Sequence, residues 1–72
     1  MQSPTTQEIF GLEVRSRRQS LGYSQEAFAD VLGMHRTQLG HIEQGRKDCR
    51  LSTVKRLADA LGVSVQVLTE RL

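Results

Sequence analysis

Only Met34 and His35 stand between Gly33 and the segment that opens at Arg36. Residues on either side read as helix, and a glycine just past a helix supplies the left-handed residue that ends it. Two helices joined by so short a turn cannot lie side by side along their lengths; they must cross at a steep angle. That constraint singles out a helix-turn-helix pair. The rest of the chain has to form a scaffold around it.

The remaining segments fit this frame. Thr5, Thr6, Gln7 and Glu8 form a capping-box pattern, in which the Thr5 hydroxyl accepts from the third helical N–H and Glu8 reaches back. The first helix then runs to about Ser20, with Phe10, Val14 and Leu21 on one face and Gly22 as its stop. Ser24 is a good N-cap for a second helix over about 24–32, with Phe28, Ala29 and Leu32 inward. The third spans about 36–44, with Leu39 and Ile42 apolar and Gly45 beyond it. Arg46 to Arg50 reads as a polar loop. Ser52 is expected to cap a fourth helix that buries Val54, Leu57, Ala58 and Leu61, and Gly62 stops it. Ser64 caps a last short helix carrying Val65, Val67 and Leu68. The expectation is an all-α fold of five helices, with 1–72 as one helix-turn-helix domain. At 72 residues there is room for one small core.

That core is aliphatic, since the chain has no Trp, one Tyr and two Phe. Small cores are often supported by oligomerisation. Val65, Val67, Leu68 and Leu72 offer more apolar surface than one short terminal helix can bury, so they are the expected faces of a homodimer.

The third helix carries the functional signal. Apart from Leu39 and Ile42 it presents Arg36, Thr37, Gln38, Gly40, His41 and Gln44, mostly side chains able to hydrogen-bond base edges and phosphates. A narrow apolar stripe with a neutral-to-basic polar face suits the DNA major groove. From Met34 to Arg56 six Arg and Lys residues face only Glu43 and Asp48, although the net charge of the whole chain is just +2. That clustering favours an anionic partner. Lys47 and Arg50 in the loop are expected to face phosphate, whereas Lys55, Arg56 and Arg71 read as solvent-facing.

Two charges fall on inward stripes. Arg18 lies four residues after Val14, and Glu43 lies four after Leu39 and beside Ile42. Burying either one unpaired is costly, so an internal ion pair between the first and third helices is expected.

Other chemistries lack their residues. No carboxylate pair or nucleophile–base pair is in view, so an enzyme is not expected. His35 and His41 have no Cys or Asp placed to complete a metal site, and no cofactor is expected. Cys49 is a single cysteine, read as a small loop residue; it fits a reduced, cytoplasmic setting. No apolar run reaches membrane-spanning length and no secretory signal opens the chain.

An ordered set of residues also resembles a known family. Arg18, Leu21 to Glu26, Phe28, Ala29, Gly33, Leu39, His41 to Gly45, Leu57, Ala58 and Ala60 to Ser64 look like the Xre family, which includes lambda-type phage repressors and Cro proteins. Among its branches the chain is most similar to the controller proteins of restriction–modification systems, through its brevity and the Arg36-Thr37 pair opening the third helix. The resemblance implies a lambda repressor-like fold and a homodimeric transcriptional regulator bound to an inverted repeat of double-stranded DNA. It implies a phosphate contact and a bracing role for Gln25. It implies base contacts at Arg36, Thr37 and His41, with Gln38 near them, and phosphate contacts at Gln44 and Arg46. It also implies the internal pair of Arg18 and Glu43. RNA polymerase is a candidate further partner, through the acidic Glu26 and Asp30 of the second helix. An antitoxin or other protein-binding module is the alternative on the same fold; only about ten residues follow Gly62, which leaves little for a toxin-neutralising tail. Two features depart from the family pattern. Met34 and His35 stand where a capping Ser, Thr or Asp is common, and Gly40 stands where a polar side chain is common.

Overall fold

The computed structural model describes residues 2–72 as five helices, with no strand among them. Their bounds are α1 Thr6–Ser20, α2 Gln25–Leu32, α3 Arg36–Glu43, α4 Leu51–Leu61 and α5 Val65–Thr69. The capping box forms as the sequence requires: Glu8 N–H donates to the Thr5 hydroxyl at 3.1 Å, and Thr5 N–H donates to Glu8 at 2.9 Å. The Ser24 and Ser64 hydroxyls accept from Ala27 and Val67 N–H at 3.1 and 3.0 Å. Gly33, at φ +68°, closes α2, and its N–H bonds back to Ala29 and Asp30.

One core joins all five helices. Phe10 and Val14 come from α1, Phe28, Ala29 and Leu32 from α2, and Leu39 and Ile42 from α3. Val54, Leu57, Ala58 and Leu61 come from α4, and Leu68 from α5. Tyr23 packs on Phe28 with ring centroids 5.3 Å apart.

Three local expectations are corrected. Leu21 is 53% exposed rather than inward, because the chain leaves the α1 helical path there on its way to Gly22 at φ +83°. The N-cap of α4 is Arg50, which makes no side-chain cap bond. Ser52 lies inside the first turn, since α4 begins two residues earlier than a Ser52 cap would start it. Leu68 is 1% exposed within a single chain. It closes the core beneath α5 and has no surface left for a second copy.

The scaffold holds α3 by backbone approach as well as by side chains. A Cβ on Gly11 would lie 2.4 Å from the Ile42 carbonyl oxygen and 2.5 Å from that of Glu43. Only a residue without a side chain lets α1 come this close to the end of α3. Gly45, at φ +73°, abuts the Glu8 backbone in the same way.

Candidate nucleic-acid interface

Within α3, Leu39, Ile42 and Glu43 are buried, Arg36, Thr37 and Gln38 are exposed and His41 is half-buried; Gln44, at its C-cap, is exposed. Eight residues at 1.5 Å rise make a rod of roughly 12 Å, short enough to sit in one stretch of major groove. Arg46, Lys47 and Arg50 follow on the loop to α4, all exposed. A recess between α3 and the start of α4 is lined by Gln38, Lys47, Asp48, Arg50, Ser52, Thr53 and Arg56, with Ile42 and Cys49 at its floor. Lys47 and Arg50, opposed there by Asp48 alone, flank the outward face of α3 together with two hydroxyls, groups suited to backbone-positioning contacts.

The expected internal pair is present and more elaborate than its two members. Arg18 Nε donates to Glu43 Oε2 at 2.7 Å and Nη2 donates to Oε1 at 3.0 Å, a parallel two-bond fork. Nη1 donates to the Tyr23 carbonyl at 2.8 Å. Both residues are buried, at 7% and 5% exposure. The hydrogen bond to Glu43, opposed by desolvation, holds the Arg18 guanidinium above its ordinary pKa.

Gln25 joins this cluster. Its Nε2 donates to Glu43 Oε1 at 3.1 Å. The amide lies across α3 at Gly40, where a Cβ would sit 3.6 Å from Gln25 Oε1, an ordinary contact. The start of α2 is therefore tied to the end of α3 through one carboxylate. His35 caps α3 without a side-chain bond, so the start of the helix is left without its own cap, as the sequence at Met34 and His35 implied.

Several contacts escaped the sequence reading. Arg56 does not merely face solvent: its Nη2 donates to the Leu32 carbonyl at the end of α2. Arg71 approaches Glu13 at 3.5 Å, linking the end of the chain to α1. Cys49 is half-buried against the core, and burial, with Asp48 adding to it, pushes its thiol pKa up.

A two-helix unit joined by a short turn, with an outward polar-basic helix held to α1 by a buried ion pair, defines a helix-turn-helix DNA-binding regulator. The chain belongs to the helix-turn-helix domain family, which it matches over residues 9–72. It is 42% identical over 64 residues to control protein C.SmaI of Serratia marcescens, covering 89% of this chain and 76% of that protein. Among solved structures, the clp gene regulator ClgR of Corynebacterium glutamicum superposes with a TM-score of 0.91 at 26% identity, covering 96% of this chain and 88% of that one. The restriction-modification controller protein C.AhdI of Aeromonas hydrophila superposes with a TM-score of 0.80 at 33% identity, covering 85% and 92%. These relatives are regulators and controller proteins. No helix among the described residues is long and apolar enough to cross a membrane.

Proposed function

We propose that this protein reads an inverted-repeat operator as a homodimer, as a controller of the kind that C.SmaI and C.AhdI represent. The observation that carries the reading is the outward face of α3, with Arg36, Thr37 and Gln38 exposed and His41 half-exposed beside them. In the proposed complex Arg36, in the first turn, donates two parallel bonds to guanine O6 and N7. Thr37 offers a methyl or hydroxyl, and His41 follows one turn along. Gln25, Gln44, Arg46, Lys47 and Arg50 meet phosphate. The relatives' names give no support to a toxin-neutralising module.

The dimer is proposed through the last segment without Leu68. Leu72 is 55% exposed, and Val65 and Val67 are half-buried. The domain is 35 Å in its longest dimension. In the proposed two-fold pair the two α3 helices would stand about 34 Å apart, one turn of DNA. Exposed Glu26, Asp30 and Val31 on α2 are the proposed contact for RNA polymerase.

Selection of bound duplexes from a random pool tests the reading. An inverted repeat should emerge, and Arg36→Ala should cost about 1–3 kcal/mol on it and relax one base pair per half-site. Equal losses on selected and random DNA would reject base reading by Arg36. Arg46→Ala should weaken both alike and flatten the salt dependence.

A further inference from the structure

α3 is fastened unequally at its two ends. Its last residue, Glu43, is held by the two-bond fork from Arg18 and by Gln25, and the Gly11 backbone presses against it. Its first turn has no such hold. His35 gives no side-chain cap bond, and Met34 packs against the core through apolar contact, which has no preferred direction. Among the described residues, the one side-chain hydrogen bond that reaches the turn from outside the two-helix unit comes from α4. There, Arg56 Nη2 donates to the Leu32 carbonyl. The same nitrogen lies 3.8 Å from where a Cβ on Gly33 would be.

This bond falls where one is needed. The last carbonyls of a helix lack intrahelical partners, and a cation near them is favoured by the helix dipole. Gly33 and Met34 N–H satisfy Ala29 and Asp30. α2 has no basic residue in its own last turn, so the Leu32 carbonyl takes its charged partner from α4.

Resting on the DNA-reading role of α3, we infer that Arg56 is a positioning residue for the recognition helix. It fixes the end of α2, and through the short turn of Gly33, Met34 and His35 it fixes the direction in which α3 starts. The unit is thus tied to α1 at one end and to α4 at the other. With Arg56 removed, α3 pivots about its anchored Glu43 end. A rotation of about 5° over the roughly 10 Å from Glu43 to Arg36 shifts the first turn by about 1 Å. That shift is enough to spoil a bidentate contact to one base, while flexible loop cations still find phosphates.

The test uses Arg56→Gln in the full chain. The site is exposed and helical, and glutamine has nearly the helix propensity of arginine but lacks its reach. Affinity is measured on the sequence the wild-type chain selects and on random duplex, across a salt series. The expected result is a fall of about fivefold in the ratio of the two affinities, a fraction of what one bidentate base contact discriminates. Preference should relax at the base pair assigned to Arg36, with the salt slope nearly unchanged. Arg56→Lys, which keeps the charge and a donor on a stem about 1 Å shorter, should restore the ratio to within about twofold. Equal losses on both DNAs with a shallower slope would make Arg56 a phosphate contact and overturn the inference. An unchanged ratio overturns it too. So does loss of helical circular dichroism at the assay temperature, because the bond would then hold the fold and not the aim. Failure of the wild-type chain to enrich any sequence is a separate result, and it refutes base reading by α3 itself.

Discussion

Arg18→Met keeps the aliphatic stem of the arginine and removes its three hydrogen bonds, at 2.7 and 3.0 Å to Glu43 and 2.8 Å to the Tyr23 carbonyl. Glu43 is then left buried with Gln25 as its remaining partner. Breaking a buried pair from one side costs about 3–5 kcal/mol, and the surviving amide bond places this case near the lower end. Glu43→Gln preserves shape and one acceptor, so about 2 kcal/mol is expected. The double change removes the unpaired charge. Its cost should be about 3 kcal/mol instead of the sum of about 5, a coupling of about 2 kcal/mol. At 0.05–0.15 kcal/mol per residue, 72 residues give a total stability of about 4–11 kcal/mol. Urea titrations followed by far-UV circular dichroism near 10 °C keep the single variants measurable. The sign of the pH dependence is also fixed. Arg18 has a raised pKa in the folded state, so its contribution is fully present below the unfolded arginine value and is lost only as pH rises through the folded one. Stability conferred by the guanidinium should therefore be flat from neutral to moderately alkaline pH. A coupling below about 0.5 kcal/mol would show that the fork contributes nothing as a pair and would refute the reasoning.

Other perturbations separate the roles of particular residues. Gly11→Ala places a methyl against two backbone oxygens, so thermal melts should show a loss of about 1–3 kcal/mol despite alanine's better helix propensity. Gly40→Ala meets only ordinary contacts with Gln25. It should stabilise the protein by about 0.5–1 kcal/mol, seen as a rise of several degrees in Tm. Cys49, with its thiol pKa pushed up by burial, should react with a disulfide reagent at pH 8 several-fold more slowly in the native protein than in urea. Equal rates would show that the side chain is open to solvent.

Local signals carried far in this chain because each helix end is written in two or three residues. Thr5 with Glu8, Ser24, Gly33 and Ser64 act through their own backbone neighbourhood, and the structure places each of them where the pattern demands. The pair of Arg18 and Glu43 was legible because both charges break an apolar stripe. Contacts without such a local mark were not legible. Arg56 looks like any basic residue on a solvated helix face, and its partner is a carbonyl 24 positions away. Gly11 sits mid-helix, where nothing nearby says that another backbone will touch it. Leu68 misled for a related reason. Its helix is too short to show which face turns inward, and only the packing of α5 against α1 and α4 decides it. At Ser52, a good capping residue that would start the helix at Thr53 competes with a start two residues earlier at Leu51, and tertiary packing of Val54 and Leu57 sets the outcome.

The split of α3 into three buried residues and an outward set has a consequence for how such a protein can change. Arg36, Thr37, Gln38 and Gln44 lie outside the core. Exchanges at exposed positions of this kind usually alter stability by no more than about 0.5 kcal/mol. Under the proposed base reading, a lineage can therefore exchange Arg36, Thr37 and Gln38, one after another or all at once, without first acquiring compensating changes elsewhere. New binding preferences are open to such a scaffold by single steps, and libraries randomised at the same positions should contain mostly folded members.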